Sequence, residues 1–159
     1  MKAIAKFLTV VTLIVLLAGG YIYWAAELQV LPESGLVESA ADRVQVFDNI
    51  VSAARIGSSD LIVYSDASGS AGQYSFVTYT LRLRNMNALP AEWIQLDLTP
   101  HQDDILLVKA TTEDVPAFSE KLLTVVLLTD RGAASFARNA TLTYYVYGHE
   151  FSIPVQLTI

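Results

Sequence analysis

One uncharged apolar run, FLTVVTLIVLLAGGYIYWAA, covers residues Phe7 to Ala26. A helix of about 20 apolar residues is long enough to cross the hydrocarbon core of a bilayer. Lys2 and Lys6 precede the run, and the next basic residue is Arg43. The positive-inside rule therefore predicts a single-pass protein of the cell membrane. Residues 1–26 would be its cytoplasmic N-terminus and transmembrane anchor, with the C-terminal domain extracytoplasmic.

A cleaved signal peptide is the alternative for this segment, with cleavage after Gly20. The apolar character continues beyond that position to Ala26, whereas the apolar region of a signal peptide usually has about 7–15 residues. Tyr21, Tyr23 and Trp24 are also typical of the aromatic belt at a membrane surface. The length of the run favours the anchor, and both alternatives export the rest of the chain.

The part of the chain after the run is acidic. All 16 acidic residues lie there, together with only eight of the ten lysines and arginines. A surface of this charge repels phosphate backbones, which argues against nucleic acid as a partner. It also disfavours electrostatic docking on an anionic membrane. The absence of cysteine excludes disulfides and thiolate metal sites.

Residues 27–35 are predicted to form a linker, because Pro32 and Gly35 are typical of loops. The extracytoplasmic domain is then expected at residues 36–159. From Leu36 to Ala54 the apolar residues recur at spacings of three and four, which predicts an amphipathic helix. A strand around residues 43–47 is the alternative, because β-branched residues are dense there.

From residue 58 onward the apolar residues recur with a period of two, which is typical of strands. Segments 74–84, 92–98, 139–147 and 151–159 are the alternating strands. Segments 61–64, 105–110 and 122–129 are short apolar runs that are typical of buried strands, with 122–129 expected at the centre of a sheet. Segments 139–147 and 151–159 form the clearest hairpin, with Gly148 and His149 as its turn. Short strands at near-regular spacing predict a mostly β fold, an antiparallel sandwich preceded by the membrane helix and the amphipathic helix.

Two stretches of the chain resemble a known family. The run from Leu81 to Ala91, LRLRNMNALPA, is similar to a strand and turn of immunoglobulin-like modules in bacterial surface proteins. The segment Pro116 to Ser119, followed by Leu122 to Leu128, resembles the next strand pair of those modules. Over residues 74–159 the chain resembles the cell-adhesion-related bacterial domain. This resemblance implies an immunoglobulin-like sandwich with a scaffold or adhesion role and without catalytic residues.

The sequence predicts a protein without enzymatic activity or a cofactor. Its two histidines, His101 and His149, lie in predicted turns, and no GxSxG motif accompanies them. A hydrolytic triad needs a nucleophile, a base and an orienting acid. We therefore assign no catalytic residues and interpret both histidines as solvated turn residues.

Acidic loops provide a candidate for Ca²⁺, which prefers six to eight oxygen ligands. The residues concerned are His101, Asp103 and Asp104 in one loop, and Glu113 and Asp114 in the next. Their spacing matches no EF-hand, and two or three carboxylates rarely suffice. Ordinary acidic loops are the favoured interpretation, and no metal site is predicted.

An aromatic contact surface is the one candidate site. Trp93, Tyr145 and Tyr147 are expected on the face opposite the core, together with Thr141 and Thr143. Exposed aromatic side chains are suited to bind a protein or a glycan. Burial of the same side chains beneath the amphipathic helix is the alternative.

These features predict a membrane-anchored extracytoplasmic interaction or structural module. It would bind a protein partner in the envelope and contact the membrane through Phe7–Ala26, for example as an accessory subunit of a bacterial envelope assembly. The alternative is a secreted or anchored module that binds a glycan or calcium. A pilin-like subunit ranks lower, because the run lacks the Gly-Phe processing site and its glutamate. An enzyme ranks lowest.

Overall fold

The computed structural model describes residues 2–24, 28–109 and 114–159. Two α-helices and eight strands make up these ranges. In chain order they are α1 Lys2–Trp24, β1 Leu28–Ser39, α2 Val44–Arg55, β2 Leu61–Val63, β3 Tyr74–Asn85, β4 Glu92–Leu98, β5 Asp104–Val108, β6 Glu120–Asp130, β7 Arg138–Val146 and β8 His149–Leu157. We refer to residues 28–159 as the head.

The strands form two antiparallel sheets, as the period of two predicted. The larger sheet has the order β1-β3-β6-β5-β2, and the smaller one has the order β4-β7-β8. Both sheets contribute side chains to one apolar core, in which Tyr79, Leu127, Leu142 and Tyr144 are almost fully buried. The predicted mostly β fold with two packed sheets is confirmed.

Helix α2 covers part of the outer face of the five-stranded sheet. Its Phe47 stacks on Tyr74 of β3 at a centroid distance of 5.4 Å, and Val51 joins a second apolar cluster with Leu106 and Leu128. The amphipathic helix that we predicted is therefore present. Within the described ranges, no helix covers the outer face of the three-stranded sheet.

Helix α1 is the only element of the described ranges that is long and apolar enough to cross a membrane, over Ala3–Tyr21. Its side chains in this stretch remain exposed, and none of them is buried in the head. By length and composition, an exposed apolar helix at this position is compatible with a single membrane span and with a signal sequence. The structure confirms the helix that both alternatives require.

The predicted linker at residues 27–35 is wrong, and so is the predicted start of the amphipathic helix at Leu36. Residues 28–39 form β1, and α2 begins at Val44 after a short 3-10 turn at Ala40–Arg43. Pro32 is compatible with β1 because this strand lies at the edge of its sheet, and the register shifts between Pro32 and Ser34. The alternative of a strand at residues 43–47 is also wrong.

The turn of the last hairpin lies one residue earlier than predicted. Tyr147 and Gly148 form it, both with positive φ angles, and Val146 pairs with His149. A two-residue turn with positive φ at both positions matches the right-handed twist of the flanking strands. The strands also differ at their other ends. Strand β7 begins at Arg138, and β8 ends at Leu157, so Ile159 lies outside it.

Tyr79 predicts a loss of stability at alkaline pH. Its hydroxyl donates to the carbonyl oxygen of Phe136 at 2.5 Å, and burial raises the pKa of Tyr79 to about 12. Unfolded tyrosine ionises near pH 10. Tyr79 therefore makes its full contribution to the free energy of unfolding below pH 10. We expect the free energy of unfolding to fall by about 2–3 kcal/mol as the pH rises to 12.

Urea titrations of the full-length protein between pH 9 and 12 would measure this loss. The variant Tyr79→Phe should show a flatter pH dependence, although it should lose about 1 kcal/mol at neutral pH with the hydrogen bond. Burial also raises the pKa of Tyr64, so a residual slope is expected. An unchanged slope in the variant would contradict the assignment to Tyr79.

Candidate functional site: the aromatic entry end

The end of the sandwich at which the chain enters the head carries the candidate site. Leu28, the first residue of β1, pairs with Asn85 at the last position of β3, and its amide donates to the buried hydroxyl of Tyr144. The loops 86–91 and 114–119 meet at this end through the bridge between Ala91 and Val115. The turn between β7 and β8 lies there too. We call this region the entry end and the opposite region the far end.

Three aromatic side chains at the entry end combine exposure with an unfavourable backbone. Trp93, Phe118 and Tyr147 are 75%, 74% and 83% exposed. Their φ angles are 53°, 53° and 51°, and they are the only non-glycine residues of the described chain with positive φ. A bulky residue in this region costs roughly 1–3 kcal/mol, and such strain clusters at functional sites. The coincidence of exposure and strain makes these three residues candidates for a functional surface.

Each of the three aromatic residues has a distinct local setting. Trp93 lies at a β-bulge, where the register between β4 and β7 shifts, and its amide donates to Asp114 at 3.2 Å. The amide of Phe118 donates to the carbonyl oxygen of Asn87. Tyr147 occupies the first position of its hairpin turn. Sequence analysis missed Phe118, because one phenylalanine in a loop has no neighbouring pattern.

Asn85 connects the two loops that carry this site. Its side-chain amide lies 2.8 Å from the carbonyl oxygen of Leu89 and 3.1 Å from those of Val115 and Pro116. The side-chain oxygen Oδ1 of Asn85 accepts a hydrogen bond from the backbone amide of Asn87 at 2.9 Å. The Asn85 side chain is buried, so these contacts fix the loops from inside.

The structure divides the predicted contact surface into two parts. Trp93 and Tyr147 lie at the entry end and are exposed, so they do not lie beneath α2. Tyr145 is half-buried on the outer face of the three-stranded sheet, and its hydroxyl donates to Glu150 at 2.6 Å. This hydrogen bond raises the pKa of Tyr145. Trp93 lies where the entry end meets that face.

The outer face of the three-stranded sheet is polar but has few charges. Lysine and arginine are absent from its outward positions. These positions are Glu92, Gln95, Asp97, Asn139, Thr141, Thr143, Tyr145, Glu150, Ser152, Pro154 and Gln156. Threonine, serine and tyrosine lose less conformational entropy on contact than long charged side chains. The face is therefore suited to bind another protein.

The acidic residues that were considered as calcium ligands have other partners. Asp104 is buried in a two-pronged ion pair with Arg138, and Asp103 lies 3.0 Å from the Nδ1 atom of His101. Asp114 accepts the Trp93 amide at the entry end, and Glu113 lies outside the described residues. Within the described ranges, no group of three or more His, Cys, Asp or Glu residues is arranged to hold a metal ion.

Two surface grooves are also present. One of about 360 Å³ lies between α2 and β2, with Arg55 and Asp66 in its wall, and one of about 660 Å³ lies between the edge strands β1 and β8. Neither groove includes His101 or His149. Neither groove therefore places a histidine next to a carboxylate.

Replacing Tyr147 by asparagine is expected to stabilise the head. We expect Tyr147→Asn to raise the free energy of unfolding by about 0.5–1 kcal/mol, because asparagine adopts positive φ readily and favours this turn. Little packing is lost, since the ring is exposed. Urea denaturation of the full-length protein in detergent would measure the change. The control Tyr147→Ala should bring no gain, and a loss in the asparagine variant would show that the ring packs against the head.

Comparisons with known proteins assign no family to the chain. No family model matches the sequence, and no curated protein matches it significantly. Among solved structures, the chain is similar to the crystal structure of a FixG-related protein from Vibrio parahaemolyticus. The two are 23% identical over 62% of this chain and 93% of that chain, with a TM-score of 0.40. These values carry no argument about function.

Proposed function

We propose that this protein is a membrane-anchored, non-enzymatic interaction module that holds a β-sandwich at the outer surface of the cell membrane. In this proposal α1 is an uncleaved span, and the head is extracytoplasmic and immunoglobulin-like. Its outer face on the three-stranded sheet binds a protein partner in the same envelope. The positive-inside rule and the length of the apolar run support the topology.

The difference between the two outer faces carries the proposal. Helix α2 covers part of the five-stranded sheet, whereas the three-stranded sheet presents a face without lysine or arginine to its surroundings. Interface cores are depleted of lysine and enriched in tyrosine. The Tyr145 ring, positioned by Glu150, lies on this face and can serve as an anchor for a partner.

The short connection to α1 keeps this face close to the membrane. Four peptide units join Trp24 to Leu28 and can span at most about 15 Å. The amide of Leu28 is hydrogen-bonded inside the sandwich, so the connection cannot lengthen without disrupting β1. A partner must therefore reach the head at the membrane surface, as a neighbouring subunit of an envelope assembly does.

Site-specific photo-crosslinking of the full-length protein in its native membrane tests the proposal. A photoreactive side chain at Gln95 or Ser152 probes the free sheet face, and one at Gln45 on the exposed side of α2 is the matched control. We expect one stoichiometric membrane protein to crosslink at Gln95 and Ser152 but not at Gln45. An excess of purified, unmodified protein should compete for it.

Mass spectrometry of the mature N-terminus completes the test. An intact N-terminus with the face-specific crosslink supports the anchored module. Equal crosslinking at all three positions, or none, contradicts a partner on the sheet face. A mature chain that begins near Tyr21 and has no partner contradicts the anchor and favours a secreted module that binds a glycan or calcium.

A further inference from the structure

We propose that the entry end of the head is a membrane-docking site, where Met86, Trp93, Phe118 and Tyr147 insert into the bilayer interface beside the anchor. This inference rests on the proposed function in one respect, since it requires α1 to span the membrane. It adds a second contact with lipid and thereby a fixed orientation of the head. The occupant of the site is the lipid interface itself.

The distribution of exposed aromatic side chains is the first argument. Within the described part of the head, Trp93, Phe118 and Tyr147 are the only largely exposed residues among the tryptophans, tyrosines and phenylalanines, and all three lie at the entry end. Met86 is 51% exposed in the adjoining loop. Tryptophan and tyrosine favour membrane interfaces, because their rings are apolar and their N–H and O–H groups remain hydrated.

The position of this end relative to α1 is the second argument. A helix of 23 residues extends about 35 Å, which matches a hydrocarbon core of about 30 Å, so a span places Trp24 near the membrane surface. The connection from Trp24 to Leu28 spans at most about 15 Å. Tyr21 of α1 also lines a small depression of about 110 Å³ with Met86, Phe118 and Val146. The entry end therefore faces the bilayer.

The backbone strain is the third argument. Asparagine or glycine would adopt the positive φ angles at 93, 118 and 147 at lower cost. The chain has a bulky aromatic residue at each of these positions instead. Positive φ at a bulge or turn projects these side chains from the surface, where they gain nothing from the core. Contact with an apolar phase outside the protein offsets this cost.

The acidic charge of the head does not oppose this contact. Several carboxylates near the entry end are already engaged. Glu120 pairs with Arg84 at 3.1 Å, Asp114 accepts the Trp93 amide, and Glu150 accepts the Tyr145 hydroxyl. The insertion relies on aromatic rings and needs no anionic lipid. Because the anchor keeps the head at the bilayer, a weak intrinsic affinity is sufficient.

Fluorescence quenching in reconstituted vesicles tests the proposal. The chain has two tryptophans, so the full-length variant Trp24→Phe leaves Trp93 as the single reporter. We use phosphatidylcholine vesicles with and without lipids brominated on the acyl chain. The expected result is a blue-shifted Trp93 emission and a loss of intensity with brominated lipid. Adding anionic lipid should not increase that loss.

Two variants control for orientation and folding. Ala134 is exposed in the far-end turn between β6 and β7, and β7 alone is nine residues or about 30 Å long. A single tryptophan there, in Trp24→Phe/Trp93→Phe/Ala134→Trp, should not be quenched. Adding Phe118→Asn and Tyr147→Asn to the Trp93 reporter should reduce its quenching. Asparagine tolerates these φ angles, so the thermal stability should not fall.

Three outcomes would overturn the proposal. Unquenched Trp93 in pure lipid vesicles shows that the entry end does not insert. A blue shift that occurs only in native membranes assigns the site to a protein partner instead. Equal quenching at Trp93 and at the far end shows that the head lies on its side. Quenching without the sheet-face crosslink would contradict the proposed partner and leave the docking site intact.

Discussion

Replacing Asp104 by asparagine, or Arg138 by methionine, is expected to lower the free energy of unfolding of the head by about 3–5 kcal/mol. The two side chains are only 0% and 3% exposed. Arg138 Nε donates to Asp104 Oδ2 at 2.9 Å, and Nη2 donates to Oδ1 at 2.6 Å. Removing one partner leaves the other charge buried without compensation, which is the costly case for a buried ion pair.

The surroundings of this pair increase the expected effect. Asp104 Oδ2 also accepts the amide of His101 at 2.8 Å. Arg138 Nη1 donates to the carbonyl oxygens of Ser135 and Ala137. The hydrogen bond to Asp104 raises the pKa of Arg138, so the guanidinium stays charged. Because Asp104 lies in the five-stranded sheet and Arg138 in the three-stranded sheet, the pair connects the sheets at the far end.

Urea denaturation of the full-length protein in detergent would measure both variants. The control Arg43→Met removes an exposed pair with Glu38, formed at 3.0 Å, and should change stability by less than about 1 kcal/mol. A double variant with leucine at both positions should recover only part of the loss, since it leaves three backbone groups without partners. A loss below 1 kcal/mol in Arg138→Met would contradict the role of the pair.

Asn85→Ala is expected to destabilise the head by about 3 kcal/mol and to loosen the entry end. The substitution removes the amide donor from the carbonyl oxygens of Leu89, Val115 and Pro116, and it leaves the buried Asn87 amide without its acceptor. The Val115 and Pro116 carbonyls keep the Ala91 amide and the Ser119 hydroxyl as donors, so the main cost falls on the Leu89 carbonyl and the Asn87 amide. An unsatisfied buried polar group costs about 1–3 kcal/mol. Relaxation and water entry offset part of the summed cost.

This variant also separates the fold from the site. Hydrogen exchange of Asn85→Ala should increase in the loops 86–91 and 114–119 and remain slow in β6 and β7. The quenching of Trp93 in vesicles should weaken, because these loops carry Met86 and Phe118. The control Asn139→Ala changes an exposed asparagine of β7 and should leave both measurements unchanged. Uniform faster exchange across all strands would indicate global destabilisation instead.

The Asp104–Arg138 pair and Asn85 lie at opposite ends of one sandwich. The ion pair closes the far end, away from α1, while Asn85 organises the end that faces it. The side chains at both ends are buried, polar and hydrogen-bonded. Within the described ranges, no buried side-chain nitrogen or oxygen lacks a hydrogen-bond partner. Polar groups in a core specify one arrangement, because every alternative leaves some of them unpaired.

Much of the architecture could be predicted from local patterns. The apolar run from Phe7 to Ala26 defined α1, and the period of two located β3, β4 and the final hairpin within a few residues. Periodicity is a property of consecutive residues, so it is visible without knowledge of their neighbours in space. The outward position of Trp93 followed from the same alternation with Ile94.

The misassigned segments were those that depend on distant residues. Leu28 to Gly35 contains proline and glycine and has no strong pattern, yet it forms β1 because β3 provides a complete ladder of partners. Propensity is a weak prior when pairing of this kind competes with it. The ion pair of Asp104 was not predicted for the same reason, because its partner Arg138 lies 34 residues further along the chain.

The sequence alone determined the apolar helix, the acidic charge of the chain that follows it, and the strand-rich character of the head. Only the tertiary structure brought Met86, Trp93, Phe118 and Tyr147 to the end where the chain leaves α1. These residues belong to four separate segments, and antiparallel pairing decides which strand ends meet. Local chemistry sets which residues form a strand, whereas the register between distant strands sets which side chains share a surface.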